Sequence, residues 1–79
     1  MFEQIPLVDM EAGETGIVIG FFGGRGVNNR LQALGIRQGV KVTKVSAAFG
    51  RGPVILNVGG AQTALGFGIS YKIIVEVNR

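Results

Sequence analysis

Glycine divides this chain into short apolar segments, and that feature limits what it can fold into. Of 79 residues, 14 are glycine, and they follow no collagen-like repeat. β-Branched and aromatic segments recur between them at intervals of roughly ten residues, which is typical of small all-β domains. Glycines in such positions indicate turns and bulges rather than disorder. The pattern predicts one small β domain, residues 1–79, with a thin core.

About five short strands are predicted from alternation and turn residues. They are Thr15–Phe22, Val40–Phe49, the two arms of a hairpin around Gly59–Gly60 that starts at Pro53, and Ile73–Val77. If the alternation of the second strand continued unbroken, Lys44 would fall on the inner face and Val45 on the outer face. A bulge or twist near Thr43 is one way to avoid this. Five curved strands with many glycines can close into a barrel, either SH3-like or OB-like. Single helical turns are expected at Leu7–Met10 and at Ile69–Tyr71.

One real helix is predicted between the first two strands, in the stretch "NNRLQALGIRQG". Asn29 is suited to be its N-cap. Gly35 is suited to the left-handed position after its C-terminus, and Ile36 to the Schellman contact back onto Leu31. Two turns of helix are not stable alone, so the barrel must hold it. We expect Leu31 and Leu34 to plug one open end of the barrel.

The charges are distributed unevenly along the chain. The net charge is +3; four of the five acidic residues lie within the first fourteen positions, and every charge between Thr15 and Tyr71 is basic. Adjacent apolar pairs such as Phe21/Phe22 must leave some side chains outside a single small core. An apolar patch flanked by arginines favours an acidic protein partner. The candidate partner-binding residues are Phe22, Arg25, Arg30 and Arg37.

The residue inventory argues against catalysis and metal binding. Cysteine and histidine are both absent, so there is no disulfide, no thiolate or imidazole ligand and no near-neutral base. Glu11 and Glu14 make only a weak oxygen pair. The loop Gly23–Gly26 lacks the phosphate-loop pattern. We therefore expect a protein that is not an enzyme and that has no cofactor, no catalytic residues and no metal ligands.

No targeting or membrane segment is visible. The N-terminus lacks the basic and apolar regions of a signal peptide. No apolar run approaches the ~20 residues that a membrane-spanning helix requires. The sequence predicts a cytoplasmic protein without direct membrane insertion.

An ordered set of motifs resembles the ferrous iron transport protein A (FeoA) family. These are "PLVDMEAGETGIVIGFFGG", then "RLQALGIRQG" before a "VKV" strand, then "GPVILNVGGAQTALG" and "IIVEV". The resemblance covers about Pro6 to Val77, nearly the whole chain. Two departures are mild: Gln38 stands where many members have proline, and Gly66, Phe67 and Gly68 stand where many have charged residues.

The resemblance implies an SH3-like barrel and a role in bacterial iron uptake. It implies a cytoplasmic accessory protein of a ferrous iron transporter whose membrane subunit carries a GTPase domain. The same domain occurs fused to metal-dependent repressors, but this chain has no helix-turn-helix and resembles the free-standing form. Weak self-association of the domain is a further alternative.

The alternative is a small basic barrel that binds RNA or single-stranded DNA. The isoelectric point near 10.0 and Phe49 close to Arg51 favour it. Against it, the predicted strand faces lack the interleaved basic and aromatic residues that stack bases. We therefore expect no nucleic-acid partner.

Overall fold

The computed structural model describes residues 1–47 and 53–79 and contains six strands, not five. The strands are β1 Phe2–Pro6, β2 Thr15–Phe21, β3 Lys41–Ala47, β4 Val54–Val58, β5 Ala61–Leu65 and β6 Ile73–Asn78. The helical segments are a 3-10 turn Leu7–Asp9, helix α1 Arg25–Ala33 and the short helix α2 Phe67–Ser70. Phe49 and Arg51, the pair behind the nucleic-acid alternative, lie outside the described residues.

The strands form one antiparallel sheet in the order β1-β6-β2-β3-β4-β5. Within the described residues β1 and β5 are its two edges. The prediction missed β1 because its first three residues are exposed and only Ile5 and Pro6 are partly buried. An exposed edge strand carries little of the alternation by which a strand is recognised.

One core lies between the sheet, the 3-10 turn and α1. The predicted turn is confirmed, since Leu7 and Met10 are 0% and 3% exposed. The buried apolar side chains are Leu7, Met10, Val18, Leu31, Ile36, Val42, Val54, Leu56, Val58, Leu65, Ile73, Val75 and Val77. Most come from alternate positions of the strands, as in a sheet with one buried face.

Bulges reset the side-chain alternation in two strands. The register between β3 and β4 shifts between Lys44 and Ser46, close to the predicted bulge. A second, unpredicted shift in β2 lies between Val18 and Gly20. Because of it, Phe21 packs against the core, whereas Ile17 is exposed.

Helix α1 begins five residues earlier than the sequence predicts. Its N-cap is Gly24, and no side chain caps it. Asn29 lies in the interior of the helix, so its assignment as N-cap is wrong. The start of α1 is difficult to recognise in the sequence because Gly23, Gly24 and Gly26 lie there. Glycine is compatible both with a loop and with the first turn of a helix.

The C-terminus of α1 has the predicted Schellman geometry. Leu34 is the C-cap, and Gly35 adopts φ +81°. The Ile36 N–H donates to the Leu31 carbonyl at 2.9 Å, and the Gly35 N–H donates to Gln32 at 3.0 Å. Leu31 and Ile36 are both fully buried. Leu34 is 38% exposed, so its prediction as a core residue is wrong: the turn at Gly35 brings Ile36 back to Leu31, and Ile36 is the buried residue at this end of α1.

The β4–β5 hairpin matches its prediction. Gly59 and Gly60 form a two-residue turn with φ +59° and +87°, the positive values that a primed turn requires. The Gly60 N–H also donates to the Asn57 side-chain oxygen at 3.1 Å. This turn fixes the register in which Val58 faces Ala61 and Val54 faces Leu65.

Candidate docking site

A shallow groove runs between the end of β2 and helix α1. Two adjoining depressions of about 430 and 350 Å³ form it, and both include Phe21 and Asn28. We call it the β2–α1 groove, and its lining residues are Gly20, Phe21, Gly23, Gly24, Arg25, Asn28, Gln32, Arg37 and Gln38. No acidic residue lines it.

Glycines allow α1 to begin directly beside the end of β2. Gly23 adopts φ +113°, and a Cβ there would meet the Val27 side chain at 3.2 Å. Just before it, the Phe22 N–H donates to the Lys72 carbonyl at 2.8 Å, which anchors the chain where it leaves the sheet. A tight left-handed turn after a paired strand therefore places the first turn of α1 against Phe21.

The segment after α1 is also fixed to β2, at the other end of the groove. The Gly39 N–H donates to the Val18 carbonyl at 2.7 Å, and the Val18 N–H donates to Val40 at 2.9 Å. The Val40 N–H donates back to Arg37 at 3.0 Å. Arg37 and Gln38 are thus held on a short anchored turn, although their side chains are exposed.

The four predicted partner-binding residues do not lie together. Arg25 and Arg37 line the groove from its two ends. Phe22 is 63% exposed but follows Phe21 in an extended segment, so the two rings point to opposite sides. Arg30 lies two residues beyond Asn28, about 200° around α1 from that groove residue.

The groove is electropositive. Within residues 1–47 and 53–79, Arg25, Arg30 and Arg37 make no ion pair. The first intrahelical bond of α1 runs from the Asn28 N–H to Gly24, which leaves the earlier amide groups of the helix without such a bond. The N-terminus of α1 adds partial positive charge beside Arg25. This side of the molecule is suited to carboxylates on a protein surface.

The predicted partner-binding set left out four polar or aromatic lining residues: Phe21, Asn28, Gln32 and Gln38. Asn28 and Gln32 are four residues apart on one face of α1, and the Gln32 side-chain amide donates to the Asn28 oxygen at 3.4 Å. That spacing is visible in the sequence, but its meaning depends on where the helix begins. Phe21 was missed because the β2 bulge decides which of two adjacent phenylalanines faces α1.

The acidic residues near the N-terminus are engaged elsewhere. Glu14 accepts two bonds from the Arg79 guanidinium, each 3.0 Å, and one from the Glu11 N–H at 3.0 Å. The bonds from Arg79 are the main reason that the pKa of Glu14 falls to about 2. Among the described residues no cluster of three acidic side chains could hold a metal ion.

Lys44 is the buried cation beside this pair. It is 2% exposed, and its ammonium donates to the carbonyl oxygens of Val8, at 3.0 Å, and Met10. Burial lowers the pKa of Lys44, while Asp9 and Glu14 oppose that shift. We call Lys44, Glu14 and Arg79 the Lys44–Arg79 clamp, since together they fasten the 3-10 turn and the loop after it to the sheet.

No helix within the described residues is long and apolar enough to cross a bilayer.

Comparison with known proteins gives one consistent result. The family described as FeoA domain matches residues 5–77. A relative from Methanocaldococcus jannaschii, named "Putative Fe(2+) transport protein A", is 37% identical over 71 residues, which are 90% of this chain and 84% of that relative.

Solved structures agree on the fold. The crystal structure of an iron uptake regulatory protein (FeoA) matches with a TM-score of 0.87 and 30% identity, covering 92% of this chain and 96% of that chain. Zinc-complexed FeoA of Stenotrophomonas maltophilia, described as a procaryotic SH3 domain protein, matches with a TM-score of 0.74 and 21% identity, covering 92% and 95%. The fold is mainly β and SH3-like, as expected, with one strand more than the sequence predicts.

Proposed function

This chain belongs to the FeoA family, and from that premise we propose that it is an accessory protein of ferrous iron transport. The family match over residues 5–77 and the transport role in the relative's name support this proposal. The chain's own contribution is a rigid small domain with an open, basic groove. Such a domain serves a transporter by binding to it rather than by carrying iron.

The finer proposal is that the protein docks on the cytoplasmic part of the membrane iron transporter, the part that includes its GTPase domain. The β2–α1 groove is the observation that carries this proposal. Arg25 and Arg37 line it and make no ion pair with any residue that the structure describes, and Phe21 gives it an apolar wall. The exposed ring of Phe22 extends the apolar surface on the other side of β2. An acidic partner surface with an apolar centre matches these features.

A binding role rather than an enzymatic one is supported by the chemistry available. The chain has no histidine or cysteine. Glu14 is held as a carboxylate by Arg79, and its low pKa makes it a poor base at neutral pH. The β2–α1 groove contains no acidic residue that could pair with a nucleophile.

The test is a binding assay against the cytoplasmic part of the transporter, followed by iron uptake in cells. We expect Arg25→Glu combined with Arg37→Glu to weaken binding at least about tenfold, because both side chains line the groove and each charge reversal replaces attraction to an acidic partner with repulsion. The matched control is Arg30→Glu, an exposed charge reversal on the side of α1 away from the groove, which should bind within about twofold of the parent.

Each variant is first shown to be folded by its thermal unfolding midpoint. Binding should also weaken as salt rises, since exposed charges are screened within a Debye length of about 10 Å at 0.1 M salt. Full binding and uptake by a folded Arg25→Glu, Arg37→Glu variant would reject the groove as the docking site. Loss of binding by the Arg30→Glu variant alone would instead indicate that the docking site lies on the other side of α1.

A further inference from the structure

The two edges of the sheet are protected very differently. Edge strand β1 carries Glu3, which contacts Arg79 at 3.5 Å, and ends in Pro6, which has no N–H to offer. Charges and proline are the usual means by which an edge strand resists pairing with another chain. Edge strand β5, "AQTAL", has neither a charge nor a proline, and its first two residues and Ala64 are exposed.

The hairpin register shows which backbone groups of β5 face outward. The two-residue turn makes Val58 and Ala61 a hydrogen-bonded pair, and pairs then alternate along an antiparallel ladder. Ala61, Thr63 and Leu65 therefore direct their N–H and C=O groups towards β4. The corresponding groups of Gln62 and Ala64 point away from the sheet. No other described element makes a backbone hydrogen bond to them.

A depression of about 510 Å³ lies beside the β4–β5 turn, on the side of β3 and β4. It is lined by Val40, Lys41, Thr43, Asn57, Gly59 and Gly60. A Cβ built at Gly59 or Gly60 would have no heavy atom within 4 Å, so the turn does not obstruct access to the depression. Lys41, which is exposed, is the charged residue of that lining.

We propose that β5 is a strand-addition site, whose outward backbone groups at Gln62 and Ala64 pair with an extended segment of another protein that carries a carboxylate just beyond its C-terminal end. An antiparallel partner continues the pairing found throughout the sheet, and its C-terminal end then lies beside the Gly59–Gly60 turn. Beyond that end the open depression leads to the Lys41 ammonium. Backbone bonds supply the attraction, and the carboxylate sets direction and register.

Charge and area favour a peptide segment over a second copy of this chain. Every charged residue from Thr15 to Tyr71 is basic, so two copies repel weakly while an acidic segment is attracted. Pairing two five-residue edges covers far less than the roughly 1,200 Å² that a stable protein interface needs. A short segment needs no such area when its parent protein is held nearby by other contacts.

The strand-addition site is separate from the β2–α1 groove. The strand-addition proposal can therefore be wrong while the docking proposal is right, and the docking proposal can be wrong while strand addition is right. The test uses the whole chain labelled with ¹⁵N and an acetylated, amidated octapeptide of alternating valine and threonine that ends in glutamate. We expect the largest amide shifts at Gln62 and Ala64, with slowed hydrogen exchange of both amides, and a smaller shift at Lys41.

Two changes in the peptide check the mechanism without altering the protein. N-methylation of the backbone positions that face β5 should weaken binding at least about tenfold, because it removes the donors. Glutamine in place of the terminal glutamate should weaken it about threefold, the size of an exposed ion pair. Lys41→Gln should abolish that difference.

A matched pair of variants tests the edge itself. Ala64→Pro removes an outward N–H and should weaken binding at least about tenfold, whereas Ala64→Val keeps that N–H and should bind within about twofold. Shifts confined to the groove, or unchanged binding of the N-methylated peptide, would overturn the proposal. A change in the chemical shifts of the β5 amides with protein concentration, in the absence of peptide, would also overturn the proposal. The molecule that pairs with β5 would then be a second copy of this chain.

Discussion

The Lys44–Arg79 clamp and the β2–α1 groove use their cations in opposite ways. In the clamp, the Lys44 ammonium donates to two carbonyl oxygens, and Arg79 forms two bonds to Glu14. In the groove, Arg25 and Arg37 have no ion pair within the described residues. A cation with internal oxygen partners holds distant segments of the chain together. An exposed cation without them contributes little to stability and is available to a partner.

The largest expected effect is at Lys44. Lys44→Ala should lower the free energy of unfolding by about 2–4 kcal/mol, because it leaves buried carbonyl oxygens unpaired and opens a cavity. Lys41→Ala, an exposed lysine of the same strand, is the control and should change it by less than about 0.5 kcal/mol. Urea unfolding of both variants measures the difference. If Lys44→Ala lowered the free energy of unfolding by less than about 1 kcal/mol, the proposed difference between the clamp cations and the surface cations would be contradicted.

A smaller effect is expected at the end of α1 that holds Arg37. Gly35→Ala should cost about 1–2 kcal/mol, because alanine is strained at φ +81° although space is available, with Val58 at 3.9 Å. Gly26→Ala, inside α1 and also with free space, should instead stabilise by about 0.5–1 kcal/mol. Opposite signs in urea unfolding would confirm that α1 begins before Gly26 and ends at Leu34. Equal signs would contradict it.

The smallest effect is a pH dependence that belongs to the clamp alone. The folded pKa of Glu14, about 2, lies below its ordinary value of 4.5, so its contribution to stability is present above 4.5 and lost as pH falls towards 2. The difference in urea midpoint between the parent and Glu14→Gln should therefore be constant near neutral pH and shrink between about pH 4.5 and 2. Arg37→Gln in the groove should show no such change. A difference that persists at pH 2 would exclude the Arg79 pairing as its source.

Much of the fold was predictable where one local rule decides the geometry. The Gly59–Gly60 turn and the Schellman ending at Gly35 were both predicted, since each depends on a glycine taking positive φ between apolar segments. The start of α1 was not predictable from Asn29, because cap preference is weak where glycines allow several starts. Strand β1 was missed because an exposed edge has little alternation to detect.

Two of the four predicted partner-binding residues line the candidate groove, and they are two of its nine lining residues. Charge distribution pointed to Arg25 and Arg37 but equally to Arg30, and only the position of the helix axis separates them. A bulge near Thr43 was expected to spare Lys44 an inward position, but the register shift comes after Lys44, which is buried. Its oxygen partners could not be predicted, since Val8 and Met10 are 36 and 34 residues away in the chain.

The sequence by itself determined the class of the protein: a small glycine-punctuated β domain of the FeoA family, with a short helix closed by glycine and without histidine or cysteine. Those properties depend on composition and on contacts within a few residues, which the sequence displays directly. Tertiary structure decided which cations are buried and which are free, which phenylalanine faces α1, and which edge of the sheet is open. Each of these depends on strand register and bulges, where a shift of one residue moves a side chain to the other face.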